Sequence, residues 1–119
     1  MKLNISRGAL ITMMEFMAKQ DVRYYLNGMC FLPDGRVAAT DGHTLATARH
    51  SNEISEQHIV RVHRLPTKVF DRAEIDTDTN IVTLFRNDVR AGVAMSENID
   101  GRFPDVCLLY TSDAADDMQ

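Results

Sequence analysis

Three tight turns constrain what this chain can fold into. Pro33-Asp34-Gly35, Asp41-Gly42 and Asn87-Asp88 each lie between apolar stretches of strand length. Glycine accepts positive φ without strain, and Asn and Asp side chains bond to nearby backbone, so each cluster reads as a chain reversal. The residues between them are rich in aromatic and β-branched types, which suit a half-buried pleated surface. Val22 to Leu32, Val37 to Thr40 and His43 to Arg49 therefore read as three successive strands, and Ile81 to Phe85 with Val89 to Met95 as a further hairpin. Short connections of this kind force neighbouring strands to run antiparallel.

Two helices are expected against this background of strands. Residues 2 to 5 alternate in polarity like a short strand, and Ser6 can then cap the free amides of a helix from Arg7 to Ala18. Leu10, Met13, Met14 and Met17 recur at i, i+3, i+4 and i+7 there, which places them on one buried stripe. The methionines thus read as core residues. After a polar stretch from Ser51 to Gln57, Ile59, Val60 and Val62 give a strand, and Pro66 opens a short helix with Val69, Phe70 and Ala73 on its apolar side. The order is strand, helix, strands, then strand, helix, strands. Two such half-units predict an α+β domain with two helices on one side of antiparallel sheets.

Composition narrows the chemistry. At 119 residues and 45% hydrophobic content the chain has the length of one domain, and a domain near this size buries roughly 65% of its unfolded surface, so it needs no disulfide or metal staple. The net charge of −4 argues against a generally basic nucleic-acid binder but leaves room for a local basic strip. Cys30 and Cys107 are far apart and outside any CxxC spacing, which suits a reducing compartment. No apolar run approaches the roughly 20 residues of a membrane span, and Met1-Lys2 leads directly into an amphipathic pattern rather than a signal peptide. The expected location is the cytoplasm, with no cofactor required.

Three blocks carry a family resemblance. The segment from Gln20 to Met29 (QDVRYYLNGM), the segment from Ala39 to Ala46 (ATDGHTLA) and Asp100 to Asp105 (DGRFPD) resemble the middle domain of the bacterial DNA polymerase III β sliding clamp, in that family's order. The resemblance implies a clamp-like fold over residues 1–106. It also implies a non-enzymatic role as a processivity factor: a ring-forming homo-oligomer, in the full-length protein, that encircles duplex DNA and tethers DNA polymerase. The first helix and first hairpin look shorter than in the family, and Thr44 stands where the family commonly carries Arg. From Cys107 the character of the chain changes, and Cys107 to Asp116 is similar to a sequencing adapter translated in one frame. Residues 107–119 are accordingly expected to be a non-native tail, with the natural gene continuing past Val106.

The resemblance assigns two sets of site residues. Gln20, Arg23, Tyr24 and Tyr25 would face DNA, which suits guanidinium on phosphate and tyrosine's combination of ring face and hydroxyl. Leu26, Thr40, Gly42, His43, Thr44, Leu45 and Pro104 would form half of a cleft for short peptides of DNA polymerase III and other partners. Glycine keeps the backbone low beside a leucine pair, which leaves room for an apolar groove. On the residues alone, the tyrosines are equally read as strand residues of alternate burial, and the turn as ordinary packing with His43 bonded to a backbone carbonyl.

Two other functions fit the same sequence. One is a stand-alone mimic of a single clamp domain that competes for clamp partners. The other is a small metal-dependent hydrolase using Asp41 with His43. The second has little support, because His43, His50, His58 and His63 lack HExxH or related spacing, and no phosphate loop or nucleophile elbow is present.

Overall fold

A computed structural model describes residues 1–103. Pro104 and the adapter-like segment 107–119 lie outside the described residues. In chain order the elements are β1 (Lys2–Ser6), α1 (Arg7–Phe16), a 3₁₀ turn (Tyr24–Leu26), β2 (Met29–Phe31), β3 (Arg36–Thr40), β4 (Leu45–Arg49), β5 (His58–Val62), β6 (Arg72–Asp76), β7 (Ile81–Arg86) and β8 (Val89–Ile99). All strand pairs are antiparallel, and together they form one eight-stranded sheet in the order β1-β6-β7-β8-β5-β2-β3-β4.

That order interlocks two half-units. The first, β1 to β4, lodges its leading strand β1 against β6 of the second. The second, β5 to β8, lodges its leading strand β5 against β2 of the first. Helix α1 contacts β1 and β6 as well as β3 and β4, so the sheet curls until strands from both ends of its order meet one helix. Inside the curl lie Leu3, Ile5, Leu10, Met13, Phe31, Val37, Val60, Ile75, Val82 and Leu84, all buried. β7 and β8 are joined at Asn87 and Asp88, whose φ values of 52° and 64° are both left-handed, as the two-residue hairpin turn that matches strand twist requires. β8 skips Ala91 opposite β7, since Leu84 pairs with Gly92 and Phe85 with Arg90. Such a bulge bends a strand, and β8 continues beyond it to pair with β5.

The first helix begins where Ser6 predicts, with the Ala9 amide donating to Ser6 Oγ at 3.3 Å. It ends two residues earlier than expected, because Met17 is extended and the Ala18 amide donates to Leu26 O at 2.9 Å instead of continuing the helix. Leu10, Met13 and Met17 are buried and Met14 half-buried, as the stripe predicts.

Two expectations fail for local reasons. The long strand from Val22 to Leu32 is confined to Met29–Phe31. Upstream of it, Asn27 closes a loop on Asp21: the Asp21 amide donates to Asn27 Oδ1 at 2.9 Å and Asn27 Nδ2 donates to Asp21 O at 3.1 Å. Short polar side chains compete with ladder bonds in this way. The second helix, expected from Pro66 through Ala73, is also absent from the described residues. Residues 63–71 are irregular, and Ala73 sits in β6 with Ile75, both buried on the strand's inner face. This segment must carry the chain from β5 to β6, three places along the sheet order, or about 14 Å at ordinary strand spacing. A Thr67 Oγ1 bond to the Val69 amide at 3.0 Å and an Arg7 Nε bond to Lys68 O at 2.6 Å hold the extended path in place.

Gly28, just before β2, is tightly packed against β5 and β8. A Cβ there would lie 2.7 Å from Val60 O and 2.9 Å from Ile99 Cδ1. Gly28→Ala is expected to lower unfolding stability by about 1–3 kcal/mol through overpacking, measured by urea denaturation, with Gly8→Ala in open space at the start of α1 as the neutral-to-stabilising control.

Candidate binding surfaces

The turn from Thr40 to Leu45 is built by its own side chains. Asp41 Oδ1 accepts from the His43 amide at 2.9 Å, the Thr44 amide at 3.0 Å and Thr44 Oγ1 at 3.3 Å. Thr40 Oγ1 donates to Thr44 O at 2.6 Å and accepts from the Gly42 amide at 3.0 Å. Gly42 has φ 97°, so the left-handed step falls on the residue that tolerates it. The His43 and Thr44 amides hold the Asp41 carboxyl below the usual carboxylate range. Their anchoring is therefore complete above that range and is lost as acid protonates the carboxylate.

This geometry gives Asp41 a structural role, with its Oδ1 engaged in the turn. Burial pushes the Cys30 thiol up to about 12, with Asp34 adding to the shift, so it is a packing group rather than a nucleophile.

The structure divides the peptide-cleft residues in two. Gly42, His43 and Thr44 are exposed. Thr40, Leu26 and Leu45 are 3%, 2% and 4% exposed. Leu26 and Leu45 belong to a small second core with Ala18, Cys30, Ala38, Ile59 and Phe103. Phe103 is itself held by its amide, which donates to Gln57 Oε1 at 2.7 Å. The two leucines do come together, then, but as packed side chains beneath an exposed turn.

Of the residues assigned to DNA, Arg23 lies on this same turn. A Cβ on Gly42 would lie 2.7 Å from Arg23 Nη2, so the guanidinium rests on the same turn. Arg23 Nε and Nη2 bond Asp21 at 3.0 and 2.9 Å. That pair holds the Asp21 carboxyl below the usual range and raises Arg23. Tyr25 is half-buried against the second core, Gln20 is exposed, and Tyr24 lies in the 3₁₀ turn.

A basic groove was not singled out from sequence. Between α1 and the irregular segment 63–71 lies a cavity of about 600 Å³, with Ile11, Met14 and Leu65 as its apolar lining and Lys19, Arg64, Lys68 and Glu15 as its charged lining. Arg61 adjoins it through a 3.2 Å bond to Lys19 O. Three cations to one carboxylate give it a positive balance within an acidic chain. Its sequence signal is the recurrence of Arg61, Arg64 and Lys68, divided between the expected strand of Ile59 to Val62, the residues after it and the helix expected from Pro66.

No protein-family profile matches the chain. Among curated proteins it is 43% identical over 99 residues to the beta sliding clamp of Salmonella typhimurium, covering 75% of this chain and 27% of that protein. Its identity to the Vibrio cholerae beta sliding clamp is 33% over 108 residues, covering 83% of this chain and 30% of that protein. The crystal structure of the DNA polymerase III subunit beta from Pseudomonas aeruginosa is similar to it with a TM-score of 0.52 and 27% identity, over 88% of this chain and 33% of the other. A second crystal structure of that clamp, bound to griselimycin, also gives a TM-score of 0.52. The chain spans less than a third of the length of these curated relatives.

Thr40→Val keeps shape but removes a buried hydroxyl that both donates and accepts. It is expected to cost about 1–2 kcal/mol and to broaden the His43 and Thr44 amide signals, measured by denaturation and NMR.

Proposed function

From a chain homologous to one segment of the bacterial beta sliding clamp, we propose that it acts as a clamp-type module of DNA replication, through binding and not bond chemistry. The alignment over three quarters of its residues carries this reading, and the curled antiparallel sheet supports it. In the full-length protein the role is to help form a ring around duplex DNA that keeps DNA polymerase on its template.

Duplex DNA would meet the basic groove first. Lys19, Arg64 and Lys68 present charge that a phosphate backbone can approach without sequence readout. Arg23 contributes less, because Asp21 already offsets its charge. Binding by this chain alone is expected to be weak, independent of sequence and steeply salt-dependent. Arg64→Ala with Lys68→Ala should reduce the slope of log K against log salt by about 2. Fluorescence anisotropy with two unrelated duplexes tests this, and binding to only one of them at physiological salt would count against the reading.

Partner peptides would dock on the Gly42–Thr44 turn. Leu26 and Leu45 are sealed beneath it, so little apolar area is open to a ligand. A short peptide ending in a Leu-Phe pair should bind with a Kd of roughly 0.1 to 1 mM or weaker. Gly42→Val forces Arg23 aside and fills the turn, and should abolish binding in a folded variant. NMR titration checks both. Shifts confined to another surface would remove the peptide site from this proposal.

A further inference from the structure

The two half-units are closed differently. In the second, the last strand β8 pairs directly with the leading strand β5. The equivalent pairing in the first would join β4 to β1, and these are the unpaired ends of the sheet order. Side chains from the residues just after β4 bridge the gap instead. The Asn4 amide donates to Asn52 Oδ1 at 2.7 Å and Asn52 Nδ2 donates to Asn4 O at 2.8 Å. The Asn52 amide group thus occupies the positions that a neighbouring strand's backbone would take.

Asn52 is oriented by His50, which is 9% exposed and packs edge-on against Phe31 with ring centroids 5.3 Å apart. The ring's partners define its protonation. His50 Nε2 lies 2.8 Å from Leu32 O, a group that only accepts, so Nε2 carries the hydrogen. His50 Nδ1 lies 3.1 Å from the Asn52 backbone amide, a group that only donates, so Nδ1 presents its lone pair. Asn52 Nδ2, its orientation set by Asn4, approaches the same lone pair at 3.1 Å. The latched form therefore needs a neutral imidazole.

We propose that His50 and Asn52 form a proton-sensitive latch that closes the sheet between β4 and β1. A proton from solvent bound at Nδ1 consumes the lone pair and turns it into a donor facing two donors, while the Nε2 bond to Leu32 remains. Asn52 then loses its support, and with it the clamp on Asn4. Two cationic side chains lie beside the latch. Arg49, next to His50 in the chain, and Arg72 on β6 line the same cavity of about 370 Å³, to which β1 and the start of α1 bring Asn4, Ile5 and Ser6. β2 offers Phe31 and Leu32. The turn that accepts the His50 amide at Gly35 O carries Asp34 already paired with Arg36 at 2.7 Å, and Glu53 beyond Asn52 is exposed. The open form can bind a proton at Nδ1 and the latched form cannot, so acidification favours opening. Opening frees the outer edge of β1 at Asn4, while β4 stays paired with β3.

Amide exchange in the full chain, corrected for intrinsic rates, tests the proposal alongside imidazole nitrogen shifts. Between neutral and acidic pH, protonation of the His50 ring should be accompanied by at least a tenfold fall in Asn4 protection, with Val82 and Leu84 unchanged. In His50→Phe, which keeps a ring against Phe31 but cannot titrate, Asn4 protection should be the same at both pH values. Three results would overturn the latch: protonation without loss of Asn4 protection, a ring that stays neutral with Asn4 protected at the lower pH, or the same pH step in His50→Phe. The first two need only the unmodified chain.

Discussion

Strand β8 is the element on which the rest of the structure depends. Its first part pairs with β7 and its last part with β5, so one continuous run of backbone bonds joins the second half-unit's meander to β5, and through β5 to the first. The bulge at Ala91 and the left-handed turn at Asn87 and Asp88 determine how it leaves β7 and where it arrives. Backbone pairing of this kind is cooperative with burial: the bonds that align Val82 with Ala94 also aim both side chains into the core. Without that register, α1 would have only half a sheet to pack on.

Against this frame, what was legible in the sequence is what local chemistry decides. Ser6 ahead of a methionine stripe specified the start of α1, and Gly35, Gly42 and Asn87-Asp88 specified where strands reverse. What was not legible depended on distance. The fate of residues 63–71 is determined by where β6 lies in the sheet, which no local pattern encodes, and Val69, Phe70 and Ala73 suit a helical stripe until Ala73 is known to lie in β6. The loop before β2 was misread for a different reason. Tyr24, Tyr25 and Leu26 have strand composition, but Asp21 and Asn27 flank them with side chains that bond backbone more locally than a neighbouring strand can.

The candidate site was legible to a similar extent. The glycine turn and its two leucines are close together as the blocks of resemblance imply. Nothing in those blocks indicated that the leucines would be packed with Phe103, or that Arg23 would lie against Gly42. These contacts join segments well separated in the chain. They bring Arg23, from the set assigned to DNA, onto the turn assigned to peptides, with the basic groove a separate feature beside α1.

The exchange of leading strands has a consequence in time. β1 is made first, yet its partner β6 is synthesised far later, and the amine of Met1 meets Asp78, 77 positions along. At ordinary rates of synthesis that interval is roughly 4 to 15 s. Throughout it, β1 has no strand on either edge, and α1 lacks β6 among the four strands it packs on. The first half-unit can form its own meander of β2, β3 and β4 during this wait, but it cannot bury Leu3 and Ile5 until Ala73 and Ile75 arrive. A nascent chain of this design is at its most adhesive while β6 is still unmade.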